Sequence, residues 1–270
     1  MASGLRQRIV TALALAALVI GILFWMPPAA AVVAVAAVVL AGAWEWAGFA
    51  GFVTPLRRLG YTVAIGIAAW AAWRFTADPA GLAAFLRVAA LWWIVATIWI
   101  VFAAKRGGHL AAGLAGFAVL VPATIGLGRL ALVEPRGQLL LLFLIVLIAA
   151  ADVGAYFGGR AFGRHKLAPL VSPGKTWEGF VAGMLGAGVA AWAGAQIFGQ
   201  PVLPWLAVGL PVALVSVVGD LVESMFKRHA GLKDSGGLLP GHGGVLDRID
   251  GFTAAAPTFL LGLQMIGVAT

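Results

Sequence analysis

The 270 residues contain no cysteine. That excludes disulfides, thiolate metal sites and a cysteine nucleophile, and with four histidines no His/Cys cluster has zinc spacing. Charge is scarce as well. Asp, Glu, Lys and Arg make up 10% of the chain, against about 25% in a soluble domain. Period-2 alternation is missing from the apolar runs, which excludes a lipid-facing β-barrel. A bilayer offers backbone groups no water, so helices remain.

What is abundant is apolar: 62% hydrophobic residues and a mean hydropathy of +1.02. Runs long enough to cross a bilayer, about 20 residues each, recur along the whole length. The expected fold is all-α, a polytopic integral membrane helical bundle. "MASGLRQRIVTALALAALVIGILFW" starts like a signal peptide, but no small-residue cleavage site clearly follows, and it is read as a retained first helix. Nine spans are predicted: 9–26, 29–49, 59–76, 82–104, 110–131, 138–158, 178–198, 202–222 and 251–269. Pro27-Pro28, Asp78-Pro79, Glu134-Pro135 and Gly199-Gln200-Pro201 mark tight turns on one side.

Charge sorting supports nine. Fourteen Lys and Arg residues fall on the side holding the amino terminus and segments 50–58, 105–109, 159–177 and 223–250, whereas only Arg74, Arg87, Arg129 and Arg136 fall on the other. The positive-inside rule then makes the amino terminus cytoplasmic. The formal net charge of +8 is read as topological signal and contact with anionic membrane lipid, not as nucleic-acid binding. The 37 glycines suit close helix packing. Trp25, Trp44, Trp46 and Trp205 are expected in an interfacial belt, Trp92 and Trp93 in packing.

Residues 1–137 read as a transmembrane scaffold. Seven of the ten acids lie between Asp152 and Asp250, so chemistry is expected in 138–270, with cytoplasmic loops at 159–177 and 223–250. Asp152 follows "LLLLFLIVLIAAA" and needs a partner, either at a functional site or in a structural pair with Arg160. "SPGKTWEG", 172–179, ends like a phosphate-binding loop, but five residues before Gly174 stands Pro169, and no strand is expected ahead of it. It is therefore not a P-loop. Ser172, Gly174, Lys175 and Thr176 still offer amides, hydroxyls and an ammonium ahead of a helix N-terminus. A plain loop-to-helix start explains the same residues.

Farther on, Asp220, Glu223 and Ser224 share one helical face, and Lys227 extends it by a turn. Asp247 and Asp250 repeat the i, i+3 spacing. Gly236, Gly237, Pro240, Gly241, Gly243 and Gly244 prevent regular helix between these groups. Acids flanking a glycine-rich basic loop suit magnesium and phosphates. Glu223 and Asp234 read equally well as solvated charges, and His242 as a phosphate contact or a loop residue.

"SMFKRHAGLKDSGGLLPGHGGVLDRID", 224–250, resembles the signature of the phosphatidate cytidylyltransferases (CDP-diacylglycerol synthases), filled by Ser224, Lys227, Arg228, Lys233, Asp234, Gly236, Pro240, His242, Gly243, Gly244, Asp247, Arg248 and Asp250. "DVGAYFGGRAFGRHKLAPLVSPGKTWEG", 152–179, is similar to that family's upstream segment; in the amino-terminal half only the span pattern and "WEW", 44–46, resemble it. The resemblance implies transfer of a cytidylyl group from CTP to phosphatidate, Mg²⁺ alone or with a second divalent or monovalent cation, and a homodimer with its site open to the cytoplasm and the inner leaflet of the cell membrane. On that reading Asp220 and Asp247 are the principal metal ligands, with Asp250 and Asp152 beside them. Lys227, Arg228, Lys233, Arg248 and His242 contact phosphates. Ser172, Lys175 and Thr176 hold the triphosphate or the lipid headgroup, and Ser224, Gly243 and Gly244 complete the substrate site. The alternative is an ion-coupled transporter; against it, the acids gather at one face and no inverted repeat is evident.

Overall fold

Prolines and short polar caps decide where the helices start. The computed structural model describes residue 14 and residues 17–238 and 243–269. Helix α1 is described over 17–25. It is followed by α2 (Pro28–Phe49), α3 (Pro55–Phe75), α4 (Pro79–Ala103), α5 (His109–Ala131), α6 (Gly137–Phe162), α7 (Trp177–Phe198), α8 (Val202–His229) and α9 (Leu246–Met265). Proline opens α2, α3 and α4, where its missing N–H has no intrahelical partner to lose. Asp78 accepts from the Gly81 N–H at 2.8 Å, and Thr176 from the Gly179 N–H at 3.2 Å. Gly199, at φ +64°, ends α7 in the left-handed conformation.

Among the described residues a helix coincides with each predicted span, the first only over 17–25. Six of these helices, α2 and α4 to α8, are long and apolar enough to cross a membrane. Helix α3 carries Arg57, Arg58 and Arg74, and α9 opens with Asp247, Arg248 and Asp250. Outward-facing side chains are apolar, as lipid contact requires: Val181, Leu185, Val189 and Trp192 form one exposed stripe on α7. Trp46 and Trp205 depart from the interfacial expectation. Both are 1% exposed, because Trp46 donates to the Ala112 carbonyl at 2.8 Å and Trp205 stacks on Phe198 in the core.

Segment 159–177 is not a plain loop. Lys166–Ala168 (β1) and Ser172–Thr176 (β2) form an antiparallel hairpin, and β2 runs directly into α7. The expectation that no strand precedes the Gly-Lys-Thr tail is corrected: β1 precedes it, and the tail itself lies on β2. Two prolines and a glycine in this stretch obscured the strands, which are only three and five residues long.

Connections segregate to opposite ends. At one end His109 meets the Phe49 carbonyl at 3.1 Å, and Lys175 of the hairpin reaches Asp220 of α8. At the other, Arg129 donates to the Trp73 carbonyl at 2.7 Å, and Gln138 donates to the Met26 carbonyl. Two apolar clusters fill the bundle. One centres on Phe143, Trp205 and Phe259, the other on Trp46, Leu120 and Phe226, and α9 contributes to both.

Helices α6 and α7 pack at backbone distance because glycines face each other. A Cβ at Gly154 would sit 2.6 Å from the Ala182 carbonyl oxygen, and one at Gly183 would sit 2.8 Å from that of Ala151. This closeness sets Asp152 of α6 beside the hairpin that leads into α7. Gly183→Val is expected to cost about 1–3 kcal/mol by overpacking. Thermal unfolding in detergent measures it, with Gly60→Ala as the control, since nothing lies within 4 Å of a Cβ there; that variant melts at or slightly above the parent.

Candidate active site

At the end of the bundle that holds the hairpin, a cavity of about 520 Å³ opens between α6, α7, α8 and β2. Asp152, Lys175, Thr176 and Asp220 line it, with Arg160 and Tyr156 at α6 and apolar residues such as Met184 and Val217 deeper in. Helix α8 continues past its apolar stretch without a break to His229. Asp220, Glu223, Ser224 and Lys227 therefore project from one regular helix, not from a loop.

Asp220 is held on both oxygens. The Lys175 ammonium lies 2.6 Å from Oδ2, and the Ser224 hydroxyl donates to Oδ1 at 3.2 Å. Asp152 is exposed to the cavity, within electrostatic reach of Lys175 and Asp220. It does not pair with Arg160, which donates to the Tyr156 hydroxyl at 3.0 Å.

A second set lies one turn farther along α8. Lys227, 8% exposed, places its ammonium 2.6 Å from Asp247 Oδ1 and 3.1 Å from Glu223 Oε1. Asp247 Oδ2 accepts from the Ser235 N–H at 3.0 Å and the Gly244 N–H at 2.9 Å, with the Ser235 hydroxyl at 2.9 Å. Asp250 joins the two sets: it feels the charges of Asp220, Lys175 and Lys227, and its Oδ1 accepts from the Gly251 N–H at 2.7 Å. Five carboxylates thus face two ammonium groups, with one guanidinium at the rim. Such a cluster favours an additional cation.

The donor set is hard oxygen throughout, which fits Mg²⁺ or a similar ion. Among the described residues, no three His, Cys, Asp or Glu side chains converge closely enough to hold a metal by themselves. Mg²⁺ commonly takes one or two carboxylates and completes its shell with water and substrate phosphates, so the residues present fit a cation shared with a polyphosphate.

Residue pattern and comparison agree. The pattern of the cytidylyltransferase family matches residues 6–266. A protein of Pseudomonas aeruginosa called phosphatidate cytidylyltransferase is 42% identical over 271 residues, covering 97% of this chain and 98% of its own. The chain belongs to the cytidylyltransferase family. Proteins of the same name from Haemophilus influenzae and Brucella suis are 39% and 37% identical, covering 94% and 80% of this chain and 97% and 85% of their own.

Within this cytidylyltransferase-family bundle, the other expected site residues among those described are placed at or near the same end. Lys227 lies buried between two carboxylates. Arg248 lines an apolar pocket with Leu18, Ile22 and Ile145. Asp247 and Asp250, three residues apart, share one face of α9, and Arg248 starts about 100° round the helix from Asp247. Arg228 donates to the Leu232 carbonyl at 3.3 Å beyond the end of α8. Lys233 and Asp234 are exposed on the following loop. Ser172 starts β2, away from the cavity lining. The Thr176 side chain caps α7 while still lining the cavity. Gly243 takes φ +80°, and Gly244 packs against Ser235 and Glu45. Pro240, Gly241 and His242 lie outside the described residues.

One participant was missed. Glu45, the centre of "WEW" on α2, is 2% exposed. Its Oε2 accepts from the Leu246 N–H at 2.8 Å and lies 3.1 Å from the Ser235 hydroxyl. It ties the glycine-rich loop and the start of α9 to the amino-terminal half. A lone acid inside an apolar run was the available signal. Glu45→Ala leaves the Leu246 N–H buried without its acceptor, with an expected loss of about 1–3 kcal/mol. Lys227→Met leaves Glu223 and Asp247 without their cation, and about 3–5 kcal/mol is expected for breaking a buried ion pair from one side. Thermal unfolding in detergent tests both, and Lys227→Met should be the worse.

Proposed function

We propose that this protein transfers the cytidylyl group of CTP to phosphatidate, releasing pyrophosphate and giving CDP-diacylglycerol. The observation that carries this reading is a carboxylate-and-lysine cavity placed at the end of an apolar bundle, in a chain matched over nearly its whole length by relatives bearing the name phosphatidate cytidylyltransferase. One substrate is a water-borne polyanion and the other a lipid, and the cavity has a polar mouth and an apolar wall. The transporter alternative is weaker, because Asp152, Asp220, Glu223, Asp247 and Asp250 gather at one end of the bundle.

In the reaction an oxygen of the phosphatidate phosphate forms a bond to the α-phosphorus of CTP as the bond from that phosphorus to the bridging oxygen breaks. Pyrophosphate leaves with the bonding pair. The attacking group is already an anion, so no strong base is needed. The obstacle is repulsion between substrates, and positioning plus charge neutralisation is the expected means of overcoming it. Lys175, a partly exposed cation lining the cavity, would exchange Asp220 for a phosphate oxygen. Arg160 would steady a second phosphate at the rim. Asp220, with Asp250 and Asp152 behind it, would hold Mg²⁺. Asp247 would join only by giving up Lys227, so its first task is to order the loop. When bound, Mg²⁺ would supply positive charge between the two substrates. The end of the bundle carrying the basic segments is read as cytoplasmic on the fourteen-to-four distribution of Lys and Arg.

Incubation of purified protein with phosphatidate, Mg²⁺ and CTP labelled at the α-phosphate should give a lipid-extractable label, and CTP should surpass the other nucleoside triphosphates. Asp220→Asn is expected to lower turnover by at least about 10²-fold while the protein stays folded. Lys175→Ala should chiefly raise KM. Parent-like rates in Asp220→Asn would remove the metal assignment, and no labelled lipid from the parent protein would remove the reaction.

A further inference from the structure

Beside the carboxylate cavity runs a second depression, of about 390 Å³, bounded by α4, the hairpin, α7 and α8. Its lining is apolar except for Thr97, whose hydroxyl is already bonded to the Trp93 carbonyl at 2.7 Å. Val171, Val218 and Leu221 form a buried floor, while Val101, Leu170 and Leu214 stand exposed along its edge. Leu167, Phe180 and Val217 line both this groove and the carboxylate cavity. The two spaces therefore adjoin across three side chains.

The hairpin explains the pairing. After Lys166, its sequence "LAPLVSPGKT" divides into an apolar first half, Leu167 to Val171, and a polar second half. Leu167, Ala168, Pro169, Leu170 and Val171 line the groove, while Gly174, Lys175 and Thr176 line the cavity. One small element thus touches a charged compartment and an alkyl compartment at once.

We infer that this groove seats one acyl chain of the lipid substrate while its phosphate occupies the Lys175–Asp220 cavity. The inference rests on the phosphatidate reading above. It commits to a lipid with a monoester phosphate head, because continuity with the cavity places an anionic headgroup at the groove's inner end. The hairpin is then the specificity element: it measures the distance between phosphate and chain. Bulk membrane lipid lacks a headgroup that the cavity would retain and would visit the groove only in passing.

The test is photolabelling of the full-length protein in vesicles. One probe is phosphatidate with a diazirine midway along an acyl chain; the control is phosphatidylcholine with the same tail. Phosphatidate should label peptides containing Thr97–Ala104 and Leu214–Leu221 about tenfold more than the control does, a difference of about 1.4 kcal/mol. Filling the exposed edge with Val101→Trp or Leu214→Trp should remove that excess. Equal labelling by the two lipids, or an excess that survives both tryptophans, overturns the assignment. CTP turnover is scored separately on the same preparations. Selective labelling without turnover would keep the groove and remove the reaction; turnover with equal labelling would remove the groove and keep the reaction.

Discussion

The Lys227 ammonium is the contact on which the site end of the bundle depends. It lies buried between Glu223 of its own helix and Asp247 of α9. Asp247 in turn gathers the Ser235 and Gly244 N–H groups. One cation thus fixes the angle between two helices and the path of the glycine-rich segment joining them. Removing charges from water is costly, and the cost is met here by geometry: short distances, several donors and no spare room.

Around that anchor the charges differ in exposure. Lys227 is buried and Asp247 partly so, whereas Asp152, Lys175 and Asp220 line open space. The contact between Lys175 and Asp220 spans a hairpin and a helix, so it can break without disturbing the core. The glycine-lined approach of α6 to α7 keeps Asp152 within reach of that pair.

Much of this was legible in the residues. The helices among the described residues followed from apolar run length, and the shared face of Asp220, Glu223 and Ser224 followed from spacing; the Ser224–Asp220 hydrogen bond shows it. What the spacing could not show was which side of a uniformly apolar helix points inward. Glu223 therefore read equally well as a solvated charge, yet it is 1% exposed. The hairpin escaped because two prolines and a glycine mask strands of three and five residues. Glu45 escaped because its partners lie 190 and 201 residues away, a separation that no local pattern reports.

That separation has a consequence for how the molecule is made. Glu45 leaves the ribosome 201 residues ahead of its partner Leu246. Contacts that close such long stretches of chain form late, so the apolar helices assemble into a bundle first and the reactive end is completed only once α9 has arrived. Until then the early carboxylate remains in a greasy helix without its N–H partner, and the charged end of the nascent bundle lacks Asp247 and Asp250.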